Sequence, residues 1–192
     1  MEITTLTAGE EGRARAVLAE AMSDDPVLTW LFPDPEDRAR ALPYAMGHFT
    51  ALAMAAGQVL TAGGDRAASL WIVRGEGDGE PAADDPGGAG AAEALAPHVE
   101  RLTALDGLLR ARRPAAPHLY LSVIGVLPEA RGQGLGGAML ARRLSDTALP
   151  AYLEASSPRS RALYLRHGFR PHGDPVRLPD GPDVFPMLRP AP

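Results

Sequence analysis

One stretch constrains this chain more than any other: His118 to Leu140, HLYLSVIGVLPEARGQGLGGAML. Its first nine residues are apolar on both faces and predict a central strand, covered on either side. A helix to about Thr147 is predicted after it. Between the two lie four glycines in six positions, Gly132, Gly134, Gly136 and Gly137. Glycine lets a backbone come close to a bound group. A helix N-terminus adds unpaired N–H groups and the positive end of the helix dipole. The turn is therefore suited to a phosphate.

Two phosphate chemistries compete for it, beside a plain tight turn with no ligand. Gly132, Gly134 and Gly137 match G-x-G-x-x-G, and an acid, Glu154, follows about 20 residues on, as a dinucleotide site requires. That reading makes the chain an NAD(P)-dependent oxidoreductase. It needs the first glycine at the strand end, in a tight turn. Here Leu127 to Arg131 intervene, and the elements upstream are not ordered βαβ. The other template, Arg/Gln-x-x-Gly-x-Gly/Ala, fits Arg131 to Gly136 throughout.

The rest of the chain supplies elements to pack around this turn. Its 192 residues suffice for one domain with a real core. Glu2 to Thr7 reads as a strand. Ala14, Val17, Leu18 and Ala21 mark a helix. Val27 to Phe32 reads as a short apolar turn after Asp24-Asp25-Pro26. Asp34 is a predicted N-cap with Pro35 at the first helical position, and Pro43 is expected to kink or restart that helix. Two strands, Gln58 to Ala62 and Ala67 to Arg74, are joined by Gly63-Gly64-Asp65. Gly75 to Gly90 has no apolar anchor and reads as a flexible Gly/Pro/Asp-rich insertion. A helical pattern resumes from Ala91 to Arg112. After the glycine turn come a strand at Pro150 to Ala155 and a helix opened by Ser157-Pro158 and closed by Gly168. Two last strands are expected at Phe169 to Arg177 and Val184 to Leu188.

Composition removes several functions. There is no cysteine, so no disulfide, Cys-ligated zinc or thiol nucleophile. The five histidines show no ligand spacing, and no metal is expected. A formal net charge of −5 argues against a nucleic-acid partner. No apolar run reaches the ~18 residues of a membrane helix. The opening MEITTLTAGEEGR has neither the basic nor the apolar region of a secretory signal, so a cytoplasmic protein is expected.

Three segments together carry a family resemblance. Val126-Leu127-Pro128-Glu129-Ala130-Arg131-Gly132-Gln133-Gly134-Leu135-Gly136 resembles the pyrophosphate-binding run of the GNAT superfamily of acyl-CoA N-acyltransferases. Tyr152 to Ser156 resembles the family's fifth strand, and Ala162 to Phe169 its A-x-x-Y-x-x-x-G-F helix end. Within the superfamily, YLEASSPRSRALYLRHGF and the Asp-Asp-Pro turn are most similar to puromycin N-acetyltransferase-like members. The resemblance implies one α/β (α+β) domain over residues 1–192. It would have a mixed, mostly antiparallel sheet flanked by helices, with fourth and fifth strands splayed.

It also implies roles. Acetyl-CoA would be the cosubstrate, held by the backbone of Ile124, Gly125 and Val126 along its pantetheine arm. Arg131, Gly132, Gln133, Gly134, Leu135 and Gly136 would wrap the pyrophosphate. Ser157 takes the place of an asparagine that contacts the pantetheine in many members. Tyr164 would be the general acid for the departing thiolate. Glu154, near the end of its strand, is the first choice for the base, with a helix-capping carboxylate as the plain alternative. Asp24, Asp25 and Trp30 are candidates for the acceptor wall. The expected reaction is direct acetyl transfer to a primary amine of a small molecule, such as an antibiotic or a metabolite. A non-catalytic acyl-CoA-binding module and a protein or peptide N-acetyltransferase stay open as alternatives. The protein would be a monomer or a homodimer.

Overall fold

A computed structural model describes residues 2–75 and 88–192. The chain runs β1 (Ile3–Thr5), α1 (Glu11–Ala21), α2 (Pro26–Leu31), α3 (Pro35–Ala56), β2 (Gly57–Ala62), β3 (Ala67–Arg74), α4 (Gly88–Leu95) and α5 (Val99–Arg110). It continues β4 (His118–Val126), α6 (Leu135–Leu144), β5 (Ala151–Ala155), α7 (Pro158–Arg166), β6 (Arg170–Pro171), β7 (Val176–Arg177) and β8 (Asp183–Arg189). The strands form one mixed sheet in the order β1-β2-β3-β4-β5-β8-β6, with β7 paired to β8. Every pairing is antiparallel except β4–β5. The mostly antiparallel sheet expected from the sequence is thus observed.

Helices cover both faces, which is why β3 and β4 are apolar on both. On one face, Ala14, Val17 and Leu18 of α1, Leu28 and Leu31 of α2 and Leu42 and Met46 of α3 pack on Leu70, Ile72, Tyr120 and Tyr152. On the other, Leu135, Met139 and Leu140 of α6 and Tyr164 of α7 pack on Trp71, Leu119, Leu121 and Leu153. Helix starts follow local chemistry. Asp34 accepts from the Glu36 and Asp37 amides, both at 2.9 Å, ahead of Pro35. Ser157 opens α7 by accepting from Ser160 N at 3.1 Å, while Ser160 Oγ accepts from Ser157 N at 3.2 Å. That reciprocal cap uses serine where glutamate or glutamine is usual. Gly168, at φ +88°, ends α7 as expected.

Three expectations are corrected. Val27–Phe32 is not a turn: Pro26–Leu31 is a six-residue helix, because Asp25 Oδ1 accepts from Val27 N and Leu28 N at 2.9 and 3.2 Å. Pro43 does not divide α3, which runs from Pro35 to Ala56. Proline removes one amide donor, and burial of Ala41, Leu42, Ala45 and Met46 around it holds the helix together. Most of the insertion expected at 75–90 lies outside the described residues, but its end is helical: α4 begins at Gly88. Gly90 lies so close to the Tyr44 hydroxyl that a Cβ would sit 2.8 Å from it.

Candidate active site

The site begins with a defect in β4. Leu70 pairs with Val123 and Trp71 with Leu121, so Ser122 is an extra residue, a β-bulge. The bulge inverts the strand's alternation. Tyr120 before it and Val123 after it face the α1/α3 core, while Leu121 and then Ile124 face α6. β4 pairs with β5 only through Leu119↔Ala151, Tyr120↔Tyr152 and Leu121↔Leu153. Beyond Leu121 the strands part, so the expected splay is present and starts at the bulge. From Ser122 to Val126 the β4 edge that faced β5 looks into a cleft of about 800 Å³.

Gly132 and Gly134 close one end of that cleft, each at φ +81°. Nothing lies within 4 Å of a Cβ added to either, so the left-handed backbone, not crowding, calls for glycine there. α6 starts at Leu135, and its first-turn amides lack intrahelical partners. Gly137 lets α7 come close, since an added Cβ would lie 3.2 Å from His167 Nε2; one on Gly136 would make an ordinary 3.7 Å contact with Leu163 Cδ2. Arg159 and Arg166 of α7 line this same end. Sequence reasoning missed both, although their i, i+7 spacing puts them on one helical face.

The Arg131 side chain is committed elsewhere. Its guanidinium makes a two-pronged pair with Asp24, at 2.6 and 2.8 Å, and donates to Ala21 O at 3.0 Å and Val126 O at 3.2 Å. It staples the head of the glycine loop to the C-terminus of α1 and holds Asp24 there. Gln133 turns back to Glu129 O at 3.2 Å. Gly125 is set against α1, where a Cβ would lie 2.8 Å from Ala21 Cβ and 3.0 Å from Leu18 Cδ2.

Tyr164 and Asp25 meet at the splay. Both line the cleft, and Tyr164 is 6 % exposed. Burial first, and then the negative charge of Asp25, push the Tyr164 phenol above its ordinary value, so it keeps its proton at neutral pH. Asp25 also accepts from Ser156 Oγ at 2.5 Å. Burial raises its carboxyl, outweighing that bond and the two α2 amides. Ser157 lines the cleft while capping α7.

Glu154 lies deeper, its side chain 6 % exposed. Oε2 accepts from Tyr120 Oη at 2.8 Å, and Oε1 stands 3.7 Å from Arg113 Nε with no hydrogen-bond partner. Burial raises the Glu154 carboxyl, with Arg113 and then Tyr120 opposing. The Arg113 guanidinium also lies over the Tyr120 ring, 4.9 Å from its centre. Nothing local in the sequence joins Tyr120 and Glu154; the β4–β5 register does, and the segment after α5 brings Arg113 to them. Trp30 is not brought to the cleft. Its Nε1 donates to Pro179 O at 2.7 Å, and it packs with Leu178 and Val184 under the β7–β8 turn.

Residues 89–171 match the acetyltransferase (GNAT) domain family. The matched span runs from α4 to β6 and takes in β4, the glycine loop, β5 and α7. The fold agrees over the whole length. A Corynebacterium glutamicum protein described as histone acetyltransferase HPA2 and related acetyltransferase is 25 % identical, with a TM-score of 0.71 over 99 % of this chain and 96 % of that one. An agmatine N-acetyltransferase is 18 % identical, with a TM-score of 0.55 over 98 % of both chains. The ribosomal-protein-S18-alanine N-acetyltransferase of Escherichia coli is 19 % identical, with a TM-score of 0.55 over 99 % and 93 %. The protein is an acetyltransferase, and GNAT acetyltransferases use acetyl-CoA. The cleft of this chain has a cradle of amides and arginines at one end and an unpaired strand edge leading from it.

Proposed function

We propose that this protein transfers an acetyl group from acetyl-CoA to a primary amine of a small molecule. One observation carries the proposal. A single cleft runs from the glycine loop, along the free edge of β4, to the buried Glu154. Cosubstrate and acceptor would thus meet at the splay, between a protonated phenol and a carboxyl that burial raises above its ordinary value.

The amides of Gly132 to Gly136, backed by the α6 dipole, bind the pyrophosphate, with Arg159 and Arg166 adding charge. The backbone of Ile124, Gly125 and Val126 pairs with the pantetheine arm. An N–H of this edge polarises the thioester carbonyl. The acceptor nitrogen forms a bond to the carbonyl carbon as the carbon–sulfur bond breaks. Glu154 takes the proton the amine loses, directly or through water, and Tyr164 gives its proton to the departing thiolate. Proton exchange with solvent then restores both groups. No acyl-enzyme through a thiol can form, since the chain has no cysteine. The puromycin N-acetyltransferase-like motifs favour a small amine over a protein.

Thiol release from acetyl-CoA over a panel of amines, aminonucleosides and peptides tests this reading. Release that depends on a small amine is expected. Release with peptides alone refutes the small-molecule acceptor, and release that ignores Glu154→Gln refutes the base.

A further inference from the structure

Resting on that amine-acetylation reading, we infer that the acceptor is a primary amine carried on a compact apolar body, an alkyl or aryl group, seated between α2, α3 and α5. The cleft end beyond Glu154 is walled by Leu28 and Leu31 of α2, Met46 and Phe49 of α3, and Leu102 and Leu105 of α5. α5 has no fully buried residue; its leucines at 102, 105 and 109 form one stripe that lines this cleft and packs in part on the core and under β7–β8. Apolar area so arranged is incompletely covered by the protein itself. At the inner end stands Glu154 Oε1, buried and without a hydrogen-bond partner, with Arg113 Nε 3.7 Å away. An amine N–H donated there leaves the carbon body against the leucines.

The charges set the class. Asp106 lines the same end but is paired with Arg110 at 3.0 Å, and Asp24 is held by Arg131. Glu154, whose Oε1 Arg113 approaches without a hydrogen bond, and Asp25 therefore offer carboxylate only near the splay, to one ammonium group. The second cation of a polyamine would rest against Met46, Phe49, Leu102 and Leu105, desolvated and unpaired. A peptide would bring amide groups to the same walls with few partners.

The test uses the full chain and unbranched amines from propylamine to heptylamine, with 2-phenylethylamine, spermidine and an Ala-initiated hexapeptide, reading thiol release. The expected kcat/KM climbs roughly three- to fourfold per added methylene. Spermidine and the peptide fall at least about tenfold below heptylamine and 2-phenylethylamine. Leu105→Glu flattens the series while acetyl-CoA titrates with the unmodified Kd. A flat series in the unmodified protein, or spermidine or peptide as the better substrate, overturns the apolar acceptor and leaves the acetyltransfer reading standing. No thiol release with any amine, from protein that binds acetyl-CoA, overturns both.

Discussion

Gly125→Ala tests whether the packing of β4 against α1 positions the glycine loop. The added methyl would lie 2.8 Å from Ala21 Cβ and 3.0 Å from Leu18 Cδ2. Relaxed carbon contacts need about 3.5–4.0 Å. Ala21 Cβ is fixed to its helix, so the C-terminal turn of α1 must retreat by roughly 1 Å. Overpacking of this kind costs about 1–3 kcal/mol. At this chain length that lowers Tm by roughly 2–12 °C, at 2–4 °C per kcal/mol. The retreat also moves Ala21 O and Asp24, both held by Arg131, so it reaches the head of the loop. Thermal unfolding and acetyl-CoA titration read the two effects, and a weaker Kd should accompany the lower Tm. Gly12→Ala is the control. It lies in α1 with nothing within 4 Å of an added Cβ, and should be neutral or stabilising by about 0.5–1 kcal/mol. If Gly125→Ala matches Gly12→Ala in both readouts, α1 does not brace the loop and the argument fails.

Other perturbations separate the roles along the cleft. Tyr164→Phe should lower kcat roughly 10²-fold or more with acetyl-CoA Kd unchanged, and unchanged turnover would remove the general acid. Glu154 must be ionised to accept a proton, and burial raises its pKa above the ordinary 4.5. The kcat/KM profile should therefore fall as pH drops through that raised value, and Glu154→Gln should abolish this acid limb along with most of the rate. Arg131→Gln and Asp24→Asn should weaken acetyl-CoA binding alike, a few-fold each, since they cut one staple; a charge contact of Arg131 with the pyrophosphate would spare Asp24→Asn. Ser157→Ala should cost about 1 kcal/mol through the lost cap, or ~2–4 °C in Tm.

What was legible in the sequence was what local chemistry decides. Asp34-Pro35 and Ser157-Pro158 mark their helix starts because a short polar side chain and a proline answer the unpaired amides next to them. The glycine turn is equally local, since positive φ is a property of one residue. α2 escaped because six mostly apolar residues show no period, and its two signals, Asp25 and Pro26, also mark a turn. The staple role of Arg131 and the Tyr120–Glu154 bond span 107 and 34 residues, so no window contains them. Trp30 was offered to the acceptor wall from its loop position, but a carbonyl 149 residues away takes its indole N–H.

The extra residue at Ser122 makes β4 two strands in series, out of phase by one. Anyone recombining this chain with a relative must treat that phase as cargo. A junction placed within Leu121 to Val123 that drops one residue would join two plausible strand halves. It would still turn Ile124 and Val126 towards α1 and leave Gly125 facing α6. Crossovers should fall before His118 or after α6, so that bulge, edge and glycine loop travel as one cassette.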